Sequence, residues 1–596
     1  MLGKYIHTIV IAISTLTLLS CRPVGVPSSI VSLTDGDNKV ILSGDRQSGK
    51  VWQMNQQGWK TGSTFLCSSI IDIATNGKDR VWVLGSESDG QCRLYELSYP
   101  GMQTIQSLAV GRGAASVTYD KEDDRLWVAC RDLKRLWEVD IMRWSVVGKL
   151  DMPREASSVA IRDSLLYVAG RLPEMVSGQK GAATSVCVFD KRRSALRKTI
   201  NLPKGSVLTG DMVANGRYAY LTHVLSRYTV PAIRPEHGWI ASSALSVIDM
   251  DSMKLIATVL LDSPARGAAG AGGMAVSPDG KELAIALSGI NSVMVIDLDG
   301  LHARLKSYKT ADGRPIHEDL GFLYGLRRRY PSGGRGTGTL LYLNEHTLLA
   351  GNLYSGNITV ISDRPRRFRQ VGRAITSTEQ GRGEAYFSDA TLSYQGWLSC
   401  ASCHGADGRS DALTHIYPGD SIFGRFLTPS LAGVTYRSSQ EGLKSGTLAY
   451  RAMREKQNRL KPSRRKGEPE VLPIEVTLEE MCFEAIRSHL FTEPQDGEAH
   501  ALASYISSLE HPRSPYLKNG RLSARAEAGL SVYESLGCAS CHNDEKPLIG
   551  LWKSAPYMHD GRMATLEEVI NSRHGMKDAK LTATQKRDLK EYLLTL

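Results

Sequence analysis

The sequence predicts a multidomain chain, an all-β seven-bladed propeller followed by two all-α domains. Three observations predict it. A strand-pair pattern repeats along the first 370 residues, a Cys-x-x-Cys-His motif occurs twice in the remainder, and helix-like stretches flank each motif. At 596 residues the chain is too long for one compact core. Its 42% hydrophobic and 23% charged residues are those of ordinary globular domains.

Residues 1–21 stand apart. Lys4 gives a positive start, IVIAISTLTLL (9–19) is apolar, and the run closes on Ser20-Cys21. An apolar run this short reads as an export signal rather than a membrane span. LLSC resembles a lipobox, which implies that Cys21 is lipidated and becomes the mature N-terminus; an ordinary signal peptide cleaved near Cys21 is the alternative. The expectation is an exported, periplasmic or outer-membrane-associated lipoprotein, held to the membrane by its lipid anchor.

Over residues 27–368, segments such as GKVWQMN (49–55), RLWEVD (135–140), SVCVFD (185–190), NSVMVIDLD (291–299) and NITVISD (357–363) share one grammar. Each is a short alternating strand preceded by another strand and a small or polar turn. Such recurrence matches propeller blades of about four strands, and seven are counted. AVSPDGKELAIALSGINSVMVIDLDG (275–300) resembles the YVTN-type β-propeller repeat. Long insertions are expected in blade five (226–243) and blade seven (310–338), as candidate contact loops. His223, His237, His317 and His346 lie in or beside these blades and read as structural, with reach towards a neighbouring domain as the alternative.

The formal charge is +11, and RAMREKQNRLKPSRRK (451–466) carries eight basic residues against one acid. That run reads as a solvated loop or as a docking surface for an acidic partner. An exported chain without a recognition motif is not expected to bind nucleic acid. Of ten cysteines, four belong to the two motifs and Cys21 to the processing site. Cys130 and Cys187 sit in strand-like runs and read as buried thiols. Cys67 with Cys92 is the one pair close enough in sequence to propose as a disulfide.

GWLSCASCHGADGRSD (396–411) holds Cys400, Cys403 and His404; LGCASCHNDE (536–545) holds Cys538, Cys541 and His542. In an exported chain this motif reads as covalent haem attachment. Two thiols on one helical turn reach the two vinyl groups of a porphyrin, and the adjacent histidine falls under the iron as proximal ligand. Zinc would want a second nearby ligand pair, and a redox dithiol a βαβ context. Helices are predicted over 377–389 and 497–512 around the first motif, and over 523–537 and 582–596 around the second. The last opens on a capping box, Thr582 with Gln585. The two cytochrome c-like domains are thus expected at 374–512 and 518–596, with two covalent haem c groups.

LWKSAPYMHDGRMATLEEVI (551–570) and FLTPSLAGV (426–434) resemble the di-haem cytochrome c peroxidase and MauG family. The resemblance implies one electron-transfer haem and one peroxidatic haem, with calcium as a further cofactor. For the second haem it implies Met576 or His574 as distal ligand; His559 reads as structural. For the first haem, His415, Met453, Met481 and His489 are candidates, and an open site is the alternative. Glu441, Glu479 and Glu480 are available to move protons, and Trp397 and Trp552 as aromatic neighbours. The implied function is an oxidoreductase that reduces peroxide or oxidises a small-molecule substrate, fed by a cytochrome or cupredoxin-like redox partner. The alternative is a non-catalytic electron-transfer cytochrome whose propeller binds a partner or ligand.

Overall fold

The structure is a computed structural model that describes residues 27–174, 181–230, 241–308, 315–362, 369–371, 378–416, 426–434, 477–511, 513–518, 520–542, 548–558, 561–572, 574 and 580–596. Cys21, His237, Glu441, Met453, His559, Met576 and the basic run 451–466 lie outside them.

Seven antiparallel sheets follow one another along 27–65, 69–112, 114–151, 156–201, 206–260, 271–331 and 337–371. Six have four strands, and the fifth has its first strand split into Ser206–Val207 and Met212–Asn215. Side chains alternate between the two faces of a strand, so each blade feeds two cores. One apolar core lies at every blade boundary. Leu33, Val51 and Ile70 join blades one and two, whereas Trp127 and Val168 join three and four. Ile30 and Trp52 meet Leu349 and Ile358 where blade seven meets blade one. The ring therefore closes by packing, each blade keeping its own strands.

Two expectations change. The insertion at 310–338 belongs to blade six, because Arg327–Pro331 pairs with Ser292–Asp297 as that blade's outer strand. It follows α1 (Leu298–Ser307), capped by Asp297. The Cys67–Cys92 disulfide is also absent: both thiols are free. Cys67 packs in the core between blades one and two, and Cys92 in the core between two and three, on opposite faces of one sheet. Burial pushes the Cys67 thiol up to about 11. Cys130 and Cys187 are buried, as expected of strand thiols.

The helical region carries α2 (Glu379–Ser388), α3 (Leu478–His489), α4 (Glu498–Ser508), α5 (Ala524–Ser535), α6 (Leu566–Asn571) and α7 (Ala583–Leu593). Thr378 and Ser523 cap α2 and α5, and capping boxes open α3 (Thr477, Glu480) and α7 (Thr582, Gln585). Helix α3 was not foreseen, since it follows the divergent basic segment.

The two halves of this region repeat one packing device. A Cβ on Gly383 of α2 would lie 1.9 Å from the Ala501 carbonyl oxygen of α4, and one on Gly529 of α5 would lie 2.0 Å from the Asp588 carbonyl oxygen of α7. Only glycine permits so close a crossing. One turn on, Phe387 meets Tyr505 at 5.3 Å and 59°, and Tyr533 meets Tyr592 at 5.3 Å and 59°. Two copies of one helix pair are thus present.

The first copy rests on the propeller. Gly267 N donates to the Gln395 carbonyl at 3.0 Å, Tyr354 Oη to Ser388 Oγ at 2.8 Å, and Arg335 pairs with the buried Asp389 at 2.8 Å. Ala241 of blade five shares an apolar core with Phe387 and Trp397.

Candidate haem centres

Both Cys-x-x-Cys-His motifs fold alike. Each follows the first helix of its pair and makes one tight turn, in which His404 N donates to the Cys400 carbonyl and His542 N to the Cys538 carbonyl, each at 3.0 Å. That turn sets both thiols and the imidazole on one side of the backbone.

At the first motif, His404 Nδ1–H donates to the Pro429 carbonyl oxygen at 3.0 Å. A carbonyl can only accept, so the tautomer is fixed and Nε2 keeps its lone pair for a metal. Burial pushes this imidazole down to about 4, keeping it neutral. The motif packs on a core of Phe387, Trp397, Cys482, Ile486 and Leu502, against which Cys400 also lies. These residues fit a haem held by Cys400, Cys403 and His404. The role of Pro429 was not read from the sequence, although the TPSL segment holding it was noticed.

The first-haem candidates separate. His415 is buried, with Nε2 2.7 Å from Asp411 Oδ2, and ligand atoms of His415, Asp411 and Cys403 all lie within 4.8 Å of one another. Asp411 is wholly buried, accepts from Leu413 N at 3.0 Å, and was missed in the sequence because it falls in a glycine-rich loop. His489 closes α3; burial and the nearby His404 push it down to about 4. Met481 is buried in the first turns of α3. Glu480 belongs to the α3 capping box, and Glu479 pairs with the exposed His500 at 3.0 Å. Trp397 is buried, with its indole N–H on Gln395 at 3.3 Å.

At the second motif, the rings of His574 and His542 lie with centroids 6.2 Å apart and planes 47° from parallel. A metal–imidazole bond of about 2 Å on each side, plus about 1.1 Å from nitrogen to ring centre, puts two rings on opposite sides of one metal about 6.2 Å apart. The observed distance equals that figure, so His542 and His574 are spaced such that both could reach one metal. At the first motif the ring of Phe387 lies 6.3 Å from that of His404, and it has no lone pair to offer.

Residues 544–577 match a family model described as RoxA-like, cytochrome c-like. The chain carries a cytochrome c-like domain. Such a domain implies covalent haem c and haem redox chemistry. The matched stretch begins two residues after His542 and includes Trp552, His574 and Met576. The chain is also similar to hydrazine synthase subunit beta of Kuenenia stuttgartiensis, 24% identical over 233 residues, which is 37% of this chain and 59% of that protein. It thus spans less than two thirds of that relative's length. A solved structure of Kuenenia stuttgartiensis hydrazine synthase aligns with a TM-score of 0.50 and 21% identity, covering 56% of this chain and 95% of that one. This is a likeness of fold.

Of the four propeller histidines singled out in the sequence, His223, His317 and His346 are described, and each has a hydrogen bond within the propeller. His223 is buried in blade five with Nε2 2.9 Å from Ser246 Oγ, and burial pushes it down to about 4. The His317 carbonyl accepts from Arg227 at 2.9 Å, and His346 N donates to Asn344.

Proposed function

We propose that this chain is a di-haem c-type oxidoreductase of the cytochrome c peroxidase type. Cys400 and Cys403 attach one haem over His404; Cys538 and Cys541 attach the other over His542. The observation that carries the reading is the 6.2 Å separation of the His542 and His574 rings. It supports His574, rather than Met576, as the sixth ligand of the second haem. A haem closed on both faces by imidazole has no site for substrate and suits electron transfer. The second haem is then the entry point for electrons from a small redox protein, and the first is the reacting centre.

A bound c-type haem supplies one-electron chemistry at its iron. Reducing hydrogen peroxide to two waters takes two electrons and two protons, and haems held at the two motifs would supply the electrons. Among the described residues, the buried Asp411–His415 pair beside Cys403 is the group best placed to carry protons, because Asp411 Oδ2, 2.7 Å from His415 Nε2, orients the imidazole. Adding hydrogen peroxide to the fully reduced protein, followed by stopped-flow spectroscopy, tests the reading. Rapid reoxidation of both haems is expected, and an unchanged reduced spectrum overturns it.

The likeness to hydrazine synthase subunit beta favours a second reading, in which the propeller is an assembly module and the haems a relay. It predicts a stable complex with a partner enzyme and no reaction with peroxide. Under either reading we expect an exported, lipid-anchored protein processed at Cys21.

A further inference from the structure

One part-buried cluster carries more positive charge than the described residues within it neutralise. It lies at the seam where the propeller meets both helical domains. Arg131 and Asp132 follow the second strand of blade three, and Arg171 follows the second strand of blade four. Asp407 and Arg409 come from the segment just past His404. Arg171 Nη2 donates to Asp407 Oδ1 at 3.1 Å and Arg409 Nη1 to Asp132 Oδ1 at 2.8 Å. Asp407 Oδ2 lies 3.4 Å from Arg409 Nε and 3.9 Å from Arg131 Nη1. Three guanidiniums therefore share two carboxylates. The adjacent Arg154 and Glu155 pair at 3.2 Å, and Glu155 also acts on Lys134 and Arg409, so that neighbouring group adds two cations and one carboxylate.

Among the described residues, the buried Arg131 Nε and the buried indole Nε1 of Trp552, from the second domain, have no hydrogen-bond partner. Trp552 is 3% exposed, and its ring lies 5.8 Å from the Arg409 guanidinium carbon. Lys553 Nζ sits 5.6 Å from the same ring. A part-buried arginine in excess of the carboxylates described beside it, and two buried N–H groups, together point to an anion acceptor.

We propose that this seam takes a propionate carboxylate of haem, bound by the Arg131 guanidinium and the Trp552 indole N–H. The inference rests on the two-haem reading. The propionates are the only anionic substituents of the macrocycle. A carboxylate buried at a domain seam needs charge-assisted partners, and arginine's planar fork matches its geometry. The propeller then completes a haem pocket, holding a fixed positive charge near one iron and favouring its reduced form. Arg171 and Asp407 act as positioning residues that hold the seam shut.

Spectroelectrochemical titration of the full-length holoprotein tests this, comparing wild type with Arg131→Gln, Arg131→Lys and Trp552→Phe. Expected is a fall in the midpoint potential of one haem in Arg131→Gln, largely restored in Arg131→Lys, with both haems still attached by pyridine haemochrome assay. The haem that shifts identifies the owner of the propionate. Trp552→Phe, which removes only the indole N–H, should shift the same haem less, and it carries the test if Arg131→Gln does not fold. Unchanged potentials in both Arg131→Gln and Trp552→Phe, at full haem content, overturn the inference and leave the two-haem reading intact. Fewer than two haems in the wild type overturns that reading instead.

Discussion

The rings of His542 and His574 lie 6.2 Å apart, centre to centre, at the second Cys-x-x-Cys-His motif. His574 projects from the segment just after α6, and His542 closes the motif turn, so the pair brings together two short elements 32 residues apart in sequence. Replacing His574 by alanine should open one face of this haem, turning its low-spin absorption spectrum towards high-spin or letting carbon monoxide bind. Met576→Leu should leave the spectrum unchanged.

The helix crossings at Gly383 and Gly529 should tolerate no side chain. With a carbonyl oxygen 1.9 or 2.0 Å from the new Cβ, each glycine-to-alanine change forces the helices apart. An overpacking cost of about 3 kcal/mol is expected for each. Calorimetry should show Gly529→Ala lowering the transition of the second domain and leaving the propeller transition in place.

The seam ion pairs predict a pH response. Burial alone would raise the Asp407 carboxyl, but Arg171, Arg409 and Arg131 outweigh it and hold it well below the usual 3.8. An acid depressed in the folded state adds stability above its unfolded value and loses it as pH falls through the folded value. The pair should therefore hold the helical region on the propeller down to pH below 3.8. Asp407→Asn should weaken docking already at neutral pH, by about 2 kcal/mol, seen as an earlier thermal transition and a larger radius of gyration by solution scattering.

The free thiols make a simpler prediction. Because Cys67 and Cys92 sit in different cores, a reductant such as dithiothreitol should leave the propeller's thermal midpoint unchanged. Cys130→Ser, which buries a hydroxyl in an apolar core, should lower the propeller's unfolding free energy by about 1–3 kcal/mol.

Much of this architecture is legible in the sequence because it is periodic. Strand alternation marks all seven blades, and capping residues such as Thr582 and Ser523 mark helix starts within a residue or two. What escaped was non-local. The 310–338 insertion was assigned to the wrong blade because its outer strand, Arg327–Pro331, is arginine-rich and follows a helix. Asp411 escaped because a loop aspartate looks solvated until its imidazole partner folds over it. The ring of His574, two residues from Met576, could be preferred only once its distance to His542 was known. Arg131 and Arg171, at the ends of propeller strands, carry no local sign of the seam they enter.

Electron paramagnetic resonance of the fully oxidised and half-reduced protein tests the central claim most directly. The account predicts a bis-imidazole low-spin signal in the oxidised protein that His574→Ala abolishes, and a high-spin signal from the first haem on half-reduction. A histidine–methionine signature at the second haem, or two haems that stay low-spin in both states, would contradict it.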